Sequence, residues 1–236
     1  MSFRKCILPY QVAVLLLMTC GWSAYGQERV STVVHEPPNL GLIKRQLIHY
    51  HGCSEDDCYF PQLERQASLA ITFLNQSVEA RLAGEKLAIV LDIDETALSN
   101  WAVESHDDFA YIAADLNWCV SLHCGKGIPG TLKLFKFAKQ NGVAVFFITG
   151  RPEGQRADTE ENLKEAGYDS WEGLYMRAEN HPKTQTLTEY KSGSRSDIVA
   201  KGYRIVLNVG DQMSDLAGNP QAEHSVKLPN PFYYIP

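Results

Sequence analysis

Two carboxylates two residues apart are the first residues of this chain that could do chemistry. Asp92 and Asp94 follow the apolar run 87–90, which predicts a buried β-strand. Residues i and i+2 of a strand point to the same face, so the two side chains lie side by side at the strand end. Like charges at that distance repel each other, and a metal cation, a shared proton or a bound substrate has to offset the repulsion. The spacing therefore predicts a functional site.

Further polar residues follow other predicted strands. The runs 143–148 and 204–209 are rich in apolar residues, as buried strands are. Ligands of open α/β sheets bind beyond the carboxyl ends of parallel strands, so polar residues at those ends converge on one edge. We expect Thr149, Gly150, Arg151, Asp211 and Asp215 at this edge. Lys191, which lies just before a short predicted helix at 196–201, is expected there as well. Acids, a hydroxyl and a lysine would thus meet beside Asp92 and Asp94.

Strands and helices alternate along the rest of the chain. Apolar spacing and stop signals predict helices at 40–50, 62–82, 131–140, 153–167 and 196–201. Short apolar runs predict strands at 87–90, 143–148, 173–176, 204–209 and 225–228. This alternation predicts an α/β fold, a Rossmann-like three-layer domain whose parallel sheet is covered on both faces. Residues 101–130 are expected to form an irregular, aromatic insert.

The chain divides into three predicted parts. Residues 1–26 combine a basic start, an apolar run and small residues at their end, which is typical of a secretory signal peptide. Residues 27–86 are predicted as an N-terminal helical segment, and 87–236 as the core, with the insert 101–130 as a small cap. The apolar run is short for a permanent membrane anchor. Export to a periplasm or out of the cell is expected, with a lipoprotein at Cys20 as the minor alternative.

Four of the six cysteines lie beyond the predicted signal peptide. They are Cys53, Cys58, Cys119 and Cys124. An even number in an exported chain favours disulfides, and two local loops are one pairing among several. A zinc site that uses the nearby His51 and His123 is the alternative, although a spacing of five between cysteines is unusual for zinc.

The charge balance argues against one class of partner. The net charge of the whole chain is −6, and it becomes −8 when Arg4 and Lys5 leave with the predicted signal peptide. Binding to a nucleic-acid polymer needs a basic patch, which so acidic a chain does not suggest. We therefore expect a small-molecule partner, while the sequence leaves the oligomeric state open.

Four motifs in a fixed order carry a family resemblance. The first is Asp-x-Asp-x-Thr at 92–96, and the second is a strand that ends in Thr149. The third is Lys191, and the fourth is Gly-Asp-x-x-x-Asp at 210–215. Together they resemble the signature of haloacid-dehalogenase-like (HAD) phosphohydrolases. The fuller matches, which resemble the subfamily IIIB acid phosphatases, lie at 92–101, 146–152, 190–195, 202–205, 210–216 and 227–235. That branch includes bacterial class B and class C acid phosphatases and plant vegetative storage proteins.

The resemblance implies a role for each acid of the motifs. Asp92 would attack phosphorus and form an aspartyl-phosphate, as carboxylates do in covalent catalysis. Asp94 would protonate the leaving alcohol and then activate water. Mg²⁺ would be held by Asp92, by the backbone carbonyl of Asp94 and by Asp211. Asp215, four residues after Asp211, would also face the metal and orient water or the lysine.

The remaining motif residues would handle the phosphate. Thr149 and the following amide, that of Gly150, would hold phosphate oxygens, and Lys191 would stabilise charge in the transition state. Arg151 and Arg195 either join this site or form structural ion pairs with its acidic edge.

The substrate side of the site is expected to be roofed by the N-terminal helices and the insert 101–130. Trp101, Tyr111 and Trp118 are candidates to stack on a nucleoside or an aromatic leaving group. The alternative is that these rings pack the insert's own small core.

The motifs favour an exported, Mg²⁺-dependent acid phosphatase that hydrolyses phosphomonoesters. A catalytically weak storage or binding protein of the same fold is the alternative, and the presence of Asp92 at the nucleophile position favours the enzyme. Dehalogenation uses a similar aspartate but needs neither Asp94 nor the metal acids, so it is disfavoured.

Overall fold

Five parallel strands form the central sheet of the protein, in a computed structural model that describes residues 36–235. The helices are α1 (Leu40–Gly52), α2 (Tyr59–Glu79), α3 (Trp101–His106), α4 (Ala113–Ser121), α5 (Pro129–Gln140), α6 (Arg156–Glu165), α7 (Leu187–Ala200) and α8 (Met213–Leu216). The strands are β1 (Lys86–Leu91), β2 (Leu98–Ser99), β3 (Lys126–Gly127), β4 (Ala144–Pro152), β5 (Gly173–Arg177), β6 (Tyr203–Gly210) and β7 (His224–Lys227).

The strand order of the central sheet is β5–β4–β1–β6–β7, with every neighbouring pair parallel. Strand β1 lies in the middle, and the order of the strands reverses beside it. In open α/β sheets a ligand crevice forms at the carboxyl ends of the strands where the order reverses. The predicted α/β class with a parallel sheet is therefore confirmed, and Asp92 follows directly from the central strand.

Alternate residues of β1 face opposite sides of the sheet, which produces the three layers. Leu87, Ile89 and Leu91 belong to the larger core, which also holds buried residues of α2 and α5. Ala88 and Val90 belong to a smaller core with residues of β4 and β6 and with Ile198 of α7. This period-two alternation is what a strand buried on both faces requires. It holds the end of β1 rigidly between two packed layers.

The N-terminal helices contribute to the same core as the sheet. Leu63, Ala70 and Leu74 are fully buried along one side of α2, as the helical apolar spacing predicted. The helix begins at Tyr59, three residues earlier than expected, because Cys58 takes the N-cap position. The boundaries of the predicted parts at 27–86 and 87–236 stay predictions.

The insert between β1 and α5 has more regular structure than expected. It contains the helices α3 and α4, and it begins and ends in the two short antiparallel strands β2 and β3. The prediction of an irregular segment at 101–130 was therefore wrong in detail. Both helices are shorter than ten residues, and such short helices leave a weak periodic signal in the sequence.

Both cysteine pairs are disulfide-bonded, Cys53 with Cys58 and Cys119 with Cys124. The first bond closes the loop between α1 and α2, and the second lies at the end of α4. Local pairing is confirmed, and the bonded sulfurs leave no thiolate in these pairs for the zinc alternative.

The predicted signal peptide at 1–26, including Cys20, lies outside the described residues. Within residues 36–235, no helix combines the length and the apolar character needed to cross a membrane.

Candidate active site

The chain turns sharply after β1 and brings two acids to the edge of the sheet. The backbone N–H of Asp92 donates to the carbonyl of Val209 at 3.0 Å, which continues the ladder with β6. The amides of Ala97 and Leu98 both donate to the carbonyl of Ile93 at 2.8 Å, and they close a compact loop. Asp92 is buried, whereas the Asp94 side chain is about one-quarter exposed, and both line a cavity of about 400 Å³.

Three buried carboxylates meet on the floor of this cavity. Asp92 comes from the end of β1, Asp211 follows β6 directly, and Asp215 lies in α8. Carboxylate oxygens of these three residues all lie within 4.8 Å of one another. Gly210 makes room for this arrangement, because a Cβ at that position would lie 2.4 Å from the Asp215 side chain. The three carboxylates thus form a site of concentrated negative charge where a cation could bind.

Hydrogen bonds fix the orientation of Asp211. One carboxylate oxygen accepts from the Thr96 hydroxyl at 3.1 Å, and the other accepts from the side-chain amides of Gln212 and Asn230, both at 2.7 Å. Burial and the nearby charge of Asp215 raise the pKa of Asp211 above its ordinary value. The site therefore holds this acid firmly where burial and a neighbouring carboxylate outweigh the positive charge of Lys191.

Lys191 provides a cation beside the acidic cluster. Its ammonium donates to Asp92 at 2.5 Å and also to Asp215. Burial alone would lower the pKa of Lys191, but the two carboxylates outweigh it and raise the pKa. Burial raises the pKa of Asp92 against the opposing charge of Lys191, and the neighbouring acids add to the rise. One lysine thus leaves the three acids short of positive charge.

The prediction that Lys191 precedes a short helix was wrong. The residue lies inside α7, which runs from Leu187 to Ala200. A capping box starts this helix, since the Thr186 hydroxyl accepts from the Glu189 amide at 3.1 Å and the Glu189 carboxylate accepts from the Thr186 amide at 2.8 Å. Lys191 is therefore held on a rigid helix and not on a loop.

Asp94 is separated from the acidic cluster by its own partners. Arg151 donates from Nε to both carboxylate oxygens at 3.1 Å and from Nη2 at 2.7 Å, and the Asn100 amide donates at 2.7 Å. Burial works to raise the pKa of Asp94, but Arg151 and these hydrogen bonds hold it below its ordinary value. The Asp94 carboxylate therefore pairs with Arg151, and Asp94 does not belong to the cluster of Asp92, Asp211 and Asp215.

The other predicted phosphate-binding residues lie around the same edge. Gly150 lines the cavity. Thr149 is fully buried, and its hydroxyl accepts from the Arg151 amide at 3.1 Å. Arg195 is also fully buried, and its guanidinium donates to the backbone carbonyls of Asp215 at 2.7 Å and Pro220 at 2.8 Å, so it supports the segment that carries Asp215.

Aromatic residues form much of the upper wall of the cavity, although they are not mainly those expected. Among the three candidates, Tyr111 lines the cavity, whereas Trp101 and Trp118 do not. The Trp101 ring stacks on His51 with centroids 3.6 Å apart, and Trp118 is 64% exposed. The aromatic residues of the wall are Phe109, Tyr111, Phe232, Tyr233 and Tyr234. Sequence reasoning missed the three near the C-terminus as part of the site.

Glu104 of α3 adds a further acid to the cavity wall. Burial, together with the charges of Asp94 and Asp107, raises its pKa from 4.5 to about 7. The folded protein then keeps a proton that the unfolded chain releases above pH 4.5, so this group makes the protein less stable as the pH rises from 4.5 to 7. We expect Glu104→Gln to reduce the loss of stability between about pH 5.5 and pH 7.5 by about 1 kcal/mol, which is less than the full shift would give because water screens this partly exposed group.

Thermal unfolding of the metal-free protein, followed by circular dichroism at both pH values, measures this effect. Glu161→Gln on the exposed side of α6 is the matched control, and it should leave the difference between the two pH values unchanged. An identical pH dependence in Glu104→Gln and the wild type would contradict the account of Glu104.

Known proteins resemble this chain in sequence over more than half of its length. Acid phosphatase 1 of Solanum lycopersicum is 40% identical over 155 residues, which are 62% of this chain and 58% of that protein. Stem 28 kDa glycoprotein of Glycine max is 36% identical over 64% of this chain and 61% of its own length. Vegetative storage protein 1 of Arabidopsis thaliana is 34% identical over 62% and 55%, respectively. The chain thus spans less than two thirds of these relatives.

Solved structures and a family model extend the comparison to the fold and the family. The class C acid phosphatase from Bacillus anthracis superposes with a TM-score of 0.66 at 20% identity, over 83% of this chain and 86% of that one. This similarity concerns the fold. A model of the HAD superfamily, subfamily IIIB (Acid phosphatase), matches residues 56–236. Because that match covers more than three quarters of the sequence, this chain belongs to subfamily IIIB, the acid phosphatases, of the HAD superfamily.

Proposed function

We propose that this protein is an exported, Mg²⁺-dependent acid phosphatase that hydrolyses small phosphomonoesters through a phosphorylated Asp92. The observation that carries the proposal is the buried cluster of Asp92, Asp211 and Asp215 with Lys191 beside it, at the floor of a cavity that Asp94 also lines. A general acid next to a nucleophile, in a cavity of this size, suits a small ester.

The acidic cluster fits a hard divalent cation. Mg²⁺ prefers oxygen ligands, and the three carboxylates are oxygen donors within reach of one ion. Burial first, and the neighbouring carboxylates second, raise the pKa values of Asp92 and Asp211 against the charge of Lys191, so a further cation beside them would be favourable. We propose that Asp92, Asp211 and the backbone carbonyl of Asp94 hold Mg²⁺, with Asp215 beside them. When bound, the ion would offset the charge of the phosphoryl group.

The residues of the chain would divide the first chemical step between them. An Asp92 oxygen attacks phosphorus, the bond from phosphorus to the ester oxygen breaks, and the electron pair leaves with that oxygen. Asp94 gives the leaving oxygen a proton. Lys191 lies 2.5 Å from Asp92, where it can stabilise the growing negative charge, and the Thr149–Gly150 segment would bind phosphate oxygens.

In the second step the roles of the two aspartates are complementary. Asp94, now without its proton, takes one from water as the water oxygen attacks phosphorus, and the Asp92 carboxylate leaves. Arg151 keeps the pKa of Asp94 below its ordinary value, against the effect of burial, so the ionised form that accepts this proton is favoured, although it is a weaker base. For the first step Asp94 must carry a proton, which accords with activity in acid.

Removal of the metal tests the proposed Mg²⁺ dependence. We expect incubation of the purified protein with EDTA to lower the hydrolysis of p-nitrophenyl phosphate by at least about 100-fold, because the phosphoryl charge is then left facing the acidic cluster. Added Mg²⁺ should restore the rate. Full activity in EDTA would contradict the metal dependence.

A storage protein of the same fold is the alternative that the relatives suggest, since one of them is named Vegetative storage protein 1. Asp92 stands at the nucleophile position, which favours the enzyme. No hydrolysis of any phosphomonoester, with Mg²⁺ present and at any pH from acid to mildly alkaline, would support the storage protein.

Export is proposed from the sequence at 1–26, and it is supported by the two disulfides, Cys53–Cys58 and Cys119–Cys124. Disulfides persist in oxidising compartments and are rare in the cytosol.

A further inference from the structure

We propose that Tyr59, the first residue of α2, is a positioning residue for Asp94 and acts on it through Glu95 and Asn100. The proposal rests on the proposed function, because it assigns Tyr59 to the general acid of that reaction. Tyr59 is fully buried and does not line the cavity, so it cannot touch the substrate.

A continuous chain of hydrogen bonds leads from α2 to Asp94. The Tyr59 hydroxyl donates to one oxygen of the Glu95 carboxylate at 2.8 Å. The other Glu95 oxygen accepts from the Asn100 backbone amide at 2.5 Å. The side-chain amide of Asn100 then donates to Asp94 at 2.7 Å. Three hydrogen bonds therefore connect a residue of the N-terminal helices to the group that would protonate the leaving oxygen.

Glu95 combines two unfavourable features, a buried carboxylate and a strained backbone conformation. It is fully buried, and its backbone φ of +54° lies in the left-handed region that disfavours residues with a side chain. It belongs neither to the three-acid cluster nor to the cavity wall. Its acceptor oxygens are engaged by Tyr59, by the Asn100 amide and by the Ser99 hydroxyl at 3.3 Å. Among residues 36–235, its side-chain hydrogen bonds are thus confined to α2 and to the segment that follows Asp94.

Two partners set the orientation of Asp94, and both donate to its Oδ1 atom. Arg151 contacts the carboxylate from β4, and Asn100 contacts it from the start of the insert. If Asn100 shifts, Arg151 alone determines which way the carboxylate points. A general acid must lie within hydrogen-bond reach of the leaving oxygen, so a small rotation lowers its contribution.

Tyr59 is itself anchored well enough to act as a fixed point. Its ring packs against those of His51, Phe60 and Phe232, with centroids 5.5, 5.4 and 5.1 Å away. The preceding residue, Cys58, is disulfide-bonded to Cys53. Tyr59→Phe removes the hydroxyl and keeps these ring contacts, so the variant is expected to fold.

The test compares two substrates that differ in their need for a general acid. Dinitrophenolate leaves without a proton, whereas the alkoxide of an alkyl phosphate needs one. We expect Tyr59→Phe to lower kcat/KM for glycerol phosphate about tenfold, and to change that for dinitrophenyl phosphate by less than about twofold. A structural defect would lower both values alike. Equal losses on the two substrates, or no loss on either, would overturn the proposal.

Tyr168→Phe is the matched control. Tyr168 is also fully buried, and its hydroxyl donates to the carbonyl of Ala97 at 3.0 Å, in the same loop. It has no hydrogen bond to Glu95 among the described residues. The ratio of the two kcat/KM values should therefore stay at the wild-type level. A selective loss as large as that of Tyr59→Phe would mean that any loosening of the loop suffices, and would overturn the proposal.

A double-mutant cycle tests the path itself. If Tyr59 acts through Asn100, then Asn100→Ala lowers kcat/KM for glycerol phosphate and the further change Tyr59→Phe adds little. Losses that multiply would place Tyr59 outside this path.

If Tyr59→Phe does not fold, Glu95→Gln replaces it. The amide of glutamine offers one acceptor oxygen, whereas Tyr59 and the Asn100 amide use both oxygens of Glu95. It should show the same selective loss, and equal losses would again overturn the proposal.

Failure of this inference and failure of the proposed function are distinguishable. If the wild-type protein hydrolyses neither substrate in Mg²⁺, the phosphatase itself is contradicted. If the wild type hydrolyses both and the variants lose activity equally on both, only the role of Tyr59 is contradicted.

Discussion

Asp92→Asn is expected to lower the turnover of p-nitrophenyl phosphate in saturating Mg²⁺ by at least about 1000-fold. The amide has nearly the same shape as the carboxylate, but it cannot attack phosphorus. The fold should survive, because the change removes one of three buried like charges while Lys191 keeps its hydrogen bond to Asp215. We therefore expect the metal-free variant to unfold at the same temperature as the wild type or at a higher one.

Steady-state kinetics and circular dichroism together measure this prediction. Asp169→Asn, at an exposed position far along the chain, is the control for the chemical change and should keep full activity. An Asp92→Asn protein that is folded and active at the wild-type rate would rule out Asp92 as the nucleophile.

Lys191→Met is expected to have opposite effects on turnover and on metal binding. Turnover in saturating Mg²⁺ should fall about 100- to 1000-fold, because the variant loses the cation that stabilises charge on the phosphoryl group. Mg²⁺ should bind more tightly at neutral pH, since the ammonium 2.5 Å from Asp92 no longer repels it. Calorimetric titration with Mg²⁺ and steady-state kinetics on the same preparation give the two values.

Lys191→Arg is the matched variant, because it keeps the charge and changes the geometry. Its Mg²⁺ affinity should stay near that of the wild type. Weaker Mg²⁺ binding in Lys191→Met would show that the lysine does not compete with the cation. An unchanged turnover would show that the lysine does not assist the reaction.

The sequence was most informative where a local pattern determines the structure. The strands β1, β4 and β6 are buried on both faces, and their apolar runs predicted them closely. Because these strands end at the same edge, the rule for ligands of parallel sheets sufficed to bring Asp92 and Asp211 together.

The helix that carries Lys191 was underestimated for a local reason. Its sequence contains Gly193 and several serines, which are weak helix formers and hide the periodic pattern. Thr186 and Glu189 stand at the spacing of a capping box, and that signal could have located the start of the helix.

The rest of the site depends on contacts between distant parts of the chain. Asn230 donates to Asp211 and Phe232 lines the cavity, yet both lie in a C-terminal segment without helical or strand periodicity, so its sequence did not place them at the site. Trp101 lies next to Asn100 in sequence, but its ring stacks on His51 of α1 and does not line the cavity. Neither outcome follows from spacing, because each is decided by which surfaces pack together in the folded protein.

The most direct test of the account is to trap the phosphorylated enzyme. The protein is mixed with an activated aryl phosphate in Mg²⁺, quenched in acid within one turnover, digested and examined by mass spectrometry. We predict that the peptide that contains Asp92 gains the mass of one phosphoryl group, that fragmentation locates the group on Asp92, and that Asp92→Asn shows no gain. An active enzyme in which that peptide never carries phosphate, or carries it at another residue, would contradict the account.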